Sequence, residues 1–266
     1  MKKTIYSRFD KKEITDLPVV TFPGRIITII TAGEAEKAVD YLLDSDIMGV
    51  DTETKPTFHK GEQHKVALLQ VSNRDTCFLF RLNLTDITPA IKRLLEDTRV
   101  KKIGLSWHDD IRSLEQRQLF EPGLFYDLQD MVGELGIKDL SLQKIYANLF
   151  HQKISKRQRL SNWEAPTLSD KQKQYAAIDA WSCIRLYDEI LRLKKTQDYD
   201  LVVVPEPEIP HKEKDETAGD KVKTNKVESK EQSSVSKKAR TPRRKVRRNR
   251  TNVMDSATQN KTEENV

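Results

Sequence analysis

From Arg25 to Leu193 the chain alternates short apolar runs with helical patterns, and this alternation restricts its possible folds more than any other feature. Ile26-Ile27-Thr28-Ile29-Ile30 reads as a strand, and Gly33 to Leu43 has helical apolar spacing at Ala35, Ala38, Val39 and Leu42. A second strand follows over Ile47-Met48-Gly49-Val50-Asp51. Two further apolar runs, Lys65 to Ser72 and Thr76 to Leu82, flank Asn73-Arg74-Asp75 and predict a hairpin, which supplies antiparallel partners. Pro89 to Leu95 is helical, Val100 to Leu105 strand-like and Asp109 to Leu119 helical again. Residues 127 to 150 read as helix, and the capping-box spacing of Ser169 and Gln172 opens a last long helix through Leu193. Such a series predicts an α/β fold, a mixed sheet flanked by helices.

The pattern stops after Val204. The 266 residues carry 47 Lys and Arg against 41 Asp and Glu, and residues 205 to 266 hold 16 of the basic and 11 of the acidic ones. The body is thus nearly neutral, whereas the final segment carries +5 of the net +6 and has too little apolar surface to offset chain entropy. The reading is an N-terminal extension over 1–24, one domain over 25–200 and a disordered basic tail over 201–266. No run approaches the roughly 18 apolar residues of a membrane span, and no apolar segment follows Met1-Lys2-Lys3-Thr4. Cys77 and Cys183 sit in apolar-periodic stretches without metal-ligand spacing, which suggests buried reduced thiols. The expectation is a cytoplasmic protein, or a nuclear one in a eukaryote.

Three short motifs carry chemistry. In Asp51-Thr52-Glu53 a strand's period of two puts both carboxylates on one side. An exposed charge pair would look the same, but the preceding run Ile47 to Val50 has the character of a buried central strand. In the second motif, Lys102 to Leu114, a strand turns into a helix whose first turn holds Asp109 and Asp110. Simple capping accounts for either residue. In the third, Tyr175-Ala176-Ala177-Ile178-Asp179-Ala180, four-residue spacing places Tyr175 and Asp179 on one helix face, with small neighbours that permit close packing.

Taken in order, Asp-x-Glu after a strand, a mid-chain Asp opening a helix with Leu114 four positions on, and Tyr-x-x-x-Asp resemble the DEDDy branch of the DEDD 3′-to-5′ exonuclease superfamily. Val66-Ala67-Leu68-Leu69-Gln70-Val71 and Arg159-Leu160-Ser161-Asn162-Trp163-Glu164 extend the likeness, which runs from about Ile26 to Leu193. It is greatest to Werner-type exonuclease domains and more distant to ribonuclease D. The resemblance implies a ribonuclease H-like fold and two Mg²⁺ or Mn²⁺ ions. It further implies that Asp51, Glu53 and Asp179 hold the first ion, that Asp51 bridges to the second and that Asp110 completes the site partly through water. Asp110 is preferred to Asp109 because of its spacing to Leu114. Tyr175, with an ordinary pKa near 10, suits orienting a water better than deprotonating it.

The implied partner is nucleic acid, as a single strand or the 3′ end of a duplex, with DNA favoured. Trimming of RNA ends in the manner of ribonuclease D is the alternative, as is a binding module that has lost catalysis, although every acidic position and the tyrosine are present. Lys153, Lys156, Arg157 and Arg159 precede the third motif and are candidate phosphate contacts; a solvated basic loop is the plainer account. Phe58, His59 and Lys65 are candidates for the same cleft, whereas Trp107 and His108 read as packing residues. In the tail, Lys237, Lys238, Arg240, Arg243, Arg244, Lys245, Arg247, Arg248 and Arg250 place nine basic and no acidic residues in 14. A flexible nucleic-acid tether is the preferred reading, beside a localisation signal or a solubilising tail.

Overall fold

The computed structural model describes residues 2–205. Strands β1 (Lys3–Tyr6), β2 (Arg25–Ile29), β3 (Ile47–Glu53), β4 (Leu68–Ser72), β5 (Thr76–Phe80), β6 (Lys101–Gly104), β7 (Phe125–Asp127) and β8 (Tyr199–Val202) alternate with helices. These are α1 (Ala32–Leu43), α2 (Leu82–Thr85), α3 (Pro89–Glu96), α4 (Trp107–Glu115), α5 (Leu128–Val132), α6 (Leu142–Phe150) and α7 (Asp170–Thr196). Six strands form one mixed sheet in the order β2-β5-β4-β3-β6-β7. Only β4 runs against its neighbours, paired antiparallel with both β3 and β5 as the hairpin signal requires.

The strand period of two sorts the sheet's side chains into two cores. Met48, Val50, Leu69, Val71, Phe78 and Phe80 pack towards α1 and α3, against Ala35, Val39, Leu42, Ile91 and Leu94. On the opposite face Ile47, Leu68, Cys77, Leu79 and Ile103 meet α7 through Ala176, Ala177, Ile184 and Ile190. Each fully buried aliphatic side chain contributes roughly 1.5–3 kcal/mol. The α7 helix begins in the capping box read from Ser169 and Gln172, both halves of which are formed. It lies hard against β3: a Cβ built on Gly49 would stand 1.9 Å from the Ala180 carbonyl oxygen. Glycine at 49 lets the first and third motifs approach this closely.

Three parts depart from the sequence reading. The predicted helix over 127–150 is broken: β7 ends at Asp127, α5 stops at Val132, and a 3-10 turn leads to Gly136 at φ +82, where a side chain would be strained. The segment read as an N-terminal extension, 1–24, packs into the body through Ile5, Phe9, Ile14, Val20 and Phe22. The Asn148 carboxamide accepts from the Tyr6 N–H at 2.9 Å and donates to the Tyr6 carbonyl at 2.7 Å, fixing β1 to α6. The boundary read at residue 200 falls inside β8, which pairs in parallel with β1. Both strands are too short and polar to announce themselves; their pairing joins residues nearly 200 positions apart. Cys77 and Cys183 are buried and free. Among the described residues no helix is long and apolar enough to cross a membrane. The disorder expected of the tail, and its basic block Lys237 to Arg250, lie outside the described residues.

Candidate active site

The C-terminal half of β3 carries the first motif out of the core. Ile47 and Gly49 face α7, so by strand alternation Asp51 and Glu53 face it too, at the point where Asp179 projects from that helix. Asp51, Glu53 and Asp179 each offer a carboxylate oxygen within 4.8 Å of the other two. Asp110 joins them from the first turn of α4, where its Oδ1 accepts a hydrogen bond from the Thr52 hydroxyl. Asp109, one residue back, points outward and pairs with Arg112 at 3.7 Å. Helix phase thus turns Asp110, the residue preferred from its spacing to Leu114, towards the other carboxylates and Asp109 away from them.

The turn into α4 has its own anchor, absent from the sequence reading. Ser106 takes a left-handed conformation at φ 62, and Asp127 at the end of β7 accepts from the backbone N–H groups of Ser106 and Trp107 at 3.0 and 2.8 Å. A carboxylate from a neighbouring strand therefore caps the helix that presents Asp110. Gln70, which reads from sequence only as part of an apolar run, lies beside Asp51. It is fully buried on β4, its amide stands 3.5 Å from Asp51, and its carbonyl oxygen has no partner.

Four carboxylates converging in a half-buried cleft repel one another. Burial, then the charges of Asp179, Asp110 and Glu53, push Asp51 well above the usual carboxylate range. Burial, with Asp179 and Asp110, raises Glu53 to about 9 despite the opposing charge of Arg159. Asp179 rises to about 7, mainly through burial, and is held down by its hydrogen bond with Tyr175 and by Lys156. Asp110 rises to about 6, again through burial, with the Thr52 hydroxyl acting against the shift. Burial and the nearby Asp179 also drive the Tyr175 phenol far above its ordinary value, so it is protonated at every physiological pH. Its ring lies 6.0 Å from that of the fully buried Trp163, which holds it in place.

The cleft holds a cavity of about 240 Å³ lined by Asp51, Tyr175 and Asp179 together with Lys156 and Arg159. Of the four basic candidates before the third motif, these two face the carboxylates. Arg157 lines a separate pocket beyond Tyr175, and the Lys153 ammonium is turned to the Thr15 carbonyl. Phe58, His59 and Lys65 are exposed and line neither space. His108 is exposed, while Trp107 is buried edge-on against Phe125 at 5.0 Å, a packing role.

The donor set fits a hard divalent cation: it is all oxygen, with three carboxyl groups within 4.8 Å of one another. Cys183 also lines the cavity, its thiol pushed up by burial and the nearby Asp51.

Comparison with known proteins agrees with this geometry. Residues 26–194 match the family described as 3′-5′ exonuclease. The chain is 28% identical over 191 residues to the bifunctional 3′-5′ exonuclease/ATP-dependent helicase WRN of Mus musculus, covering 68% of this chain and 14% of that protein. It is 30% identical over 202 residues to a 3′-5′ exonuclease of Arabidopsis thaliana, covering 69% of this chain and 70% of that one. The fold resembles the Nibbler EXO domain of Aedes aegypti, with a TM-score of 0.62 at 18% identity over 68% of this chain and 95% of that domain. The chain, with its ribonuclease H-like sheet and its cleft of four carboxylates, belongs to the 3′-5′ exonuclease family.

Proposed function

We propose that this protein removes nucleotides one at a time from the 3′ end of a nucleic acid strand, releasing nucleoside 5′-monophosphates. The observation that carries the reading is the closure of Asp51, Glu53 and Asp179 within 4.8 Å, with Asp110 beside them and the carboxyl pKa values driven upward. Such a cluster is costly without a cation and suited to holding one. Asp51, Glu53 and Asp179 would hold a first Mg²⁺ or Mn²⁺, and Asp51 with Asp110 a second. When bound, the ions would supply an activated water and neutralise charge on the departing oxygen.

The remaining work falls to the protein's own groups. The Tyr175 hydroxyl, hydrogen-bonded to Asp179 and always protonated, orients the attacking water and does not serve as its base. Lys156 and Arg159 line the same cavity and meet the phosphate oxygens. Water attacks phosphorus, the bond to the 3′ oxygen of the preceding nucleotide breaks, and that oxygen takes up a proton. The new strand end is a 3′ hydroxyl.

Digestion of matched 3′- and 5′-labelled DNA and RNA strands with Mg²⁺, with Mn²⁺ and with EDTA tests the reading. The 3′ label should leave as a mononucleotide while the 5′ label shortens stepwise, only with a divalent ion. Undiminished cutting in EDTA, or loss of the 5′ label first, would overturn it. The two substrates also decide between DNA, which we favour, and RNA. The basic block Lys237 to Arg250 is proposed as a tether that raises the local concentration of strand without touching the chemical step.

A further inference from the structure

Behind Tyr175 lies a second pocket, about 310 Å³, that the chemistry above does not use. Its walls come from three places: Val20 and Thr21 of the N-terminal segment, Arg157 and Gln158 of the loop before the third motif, and Gln174, Tyr175 and Ile178 of α7. The N-terminal wall lies outside the residues that match the exonuclease family, which begin at 26. It is nevertheless built in. The Val20 N–H donates to the Lys153 carbonyl at 3.0 Å, the Lys153 N–H donates to the Pro18 carbonyl at 2.9 Å, and the Gln174 carboxamide oxygen accepts from the Phe22 N–H at 3.3 Å. A wall fixed on both flanks gives a pocket formed before any ligand arrives.

Tyr175 lines both this pocket and the carboxylate cavity, so whatever occupies one abuts whatever occupies the other. A nucleotide has that division: a charged phosphate joined to a flat base with apolar faces. The pocket's Val20, Ile178 and Tyr175 surfaces suit the faces of a base, the carboxamides of Gln158 and Gln174 its polar edge, and Arg157 and Lys171 the flanking phosphates. We infer that the pocket between the N-terminal segment and α7 receives the base of a nucleotide next to the cleaved phosphate. The inference rests on the proposed reaction, because it takes the phosphate to lie at the carboxylates. It assigns the N-terminal segment a part in gripping substrate.

The test separates the two ideas. Thr21 and Val19 are exposed residues at the pocket's outer wall, so Thr21→Trp and Val19→Trp fill it without disturbing the core. Binding of a fluorescent single strand is measured on a background of Asp51→Asn, which prevents turnover, with an abasic site placed in turn at each of the last three positions. On that background one abasic position should weaken binding about tenfold. Either tryptophan should shrink that ratio towards one by weakening the intact strand alone. A ratio that stays near tenfold in both variants, or no ratio at any position, overturns the pocket assignment. Cutting by the wild-type protein is followed in parallel: strand shortening with an unmoved ratio sinks the pocket and leaves the reaction standing, whereas no shortening sinks the reaction.

Discussion

The two faces of β3 are built to opposite ends. Towards α1 and α3 it presents Met48 and Val50, both buried among aliphatic and aromatic side chains. Towards α7 it presents Ile47, then a glycine with no side chain, then Asp51 and Glu53, whose carboxyls are pushed up by burial and by one another. One face lowers the free energy of the fold and the other raises it. A buried charge elsewhere shows that burial alone does not cause the difference. Lys102, fully buried on β6, has an ammonium that donates to the carbonyls of Asp97 and Val100 at 2.7 and 3.1 Å. Burial lowers it to about 8, but its hydrogen bonds are made within the fold. The carboxylates repel like charges and await a partner, the usual mark of a site whose electrostatics serve function.

Breaking the polar face should have the largest effect. Asp51→Asn is expected to lower the rate of strand trimming roughly a thousandfold, the equivalent of several kcal/mol of lost charge stabilisation. It should also raise the melting temperature of the metal-free protein, because asparagine spares the fold the cost of burying or protonating an acid among other carboxyls. A lower melting temperature would mean that the cluster is not under repulsion. Asp110→Asn should likewise cost far more activity than Asp109→Asn, since only Asp110 meets the cleft; the reverse order in a steady-state assay would reassign that position.

On the apolar face the consequences reverse. Met48→Ala should cost about 2–5 kcal/mol in denaturant unfolding yet leave turnover per folded molecule unchanged. Gly49→Ala sits between the two cases: its methyl would collide with the Ala180 carbonyl, so α7 must shift. About 1–3 kcal/mol of stability should go, and metal affinity with it, because Asp179 rides on the same helix. Calorimetry showing unaltered Mn²⁺ binding would separate packing from the site.

The smallest effect is one of pH. Raised carboxyl pKa values mean that the folded, metal-free protein holds protons which the unfolded chain has given up. Its stability should fall as pH rises from the ordinary carboxyl range through about 9, the value for Glu53. Metal affinity should move the opposite way, strengthening from pH 6 to 9 with release of protons on binding. A flat profile for both in calorimetric titration would show that the carboxylates are already ionised.

The hairpin, the α7 capping box and the two-sided strands were legible because each depends on neighbours a few residues apart. So was the order of the three acidic motifs. The break in the helix read over 127–150 was harder to see, although Gly133 and Gly136 mark it, because apolar spacing continues on both sides. Strands β1 and β8 were invisible: neither has a pattern of its own, and each exists only because the other lies beside it.

The sequence by itself determined which residues are available to the chemistry and on which kind of element each stands, since periodicity is a local property. The preference for Asp110 over Asp109 could be drawn from spacing, but tertiary structure alone decided that Lys156 and Arg159 line the cavity while Lys153 is tied to Thr15. It also decided that Asp127 caps the helix of the second motif and that residues 19–21 wall a pocket beside Tyr175. Burial, Coulomb repulsion and close approach act through space between segments far apart in the chain, and no window of sequence contains both partners.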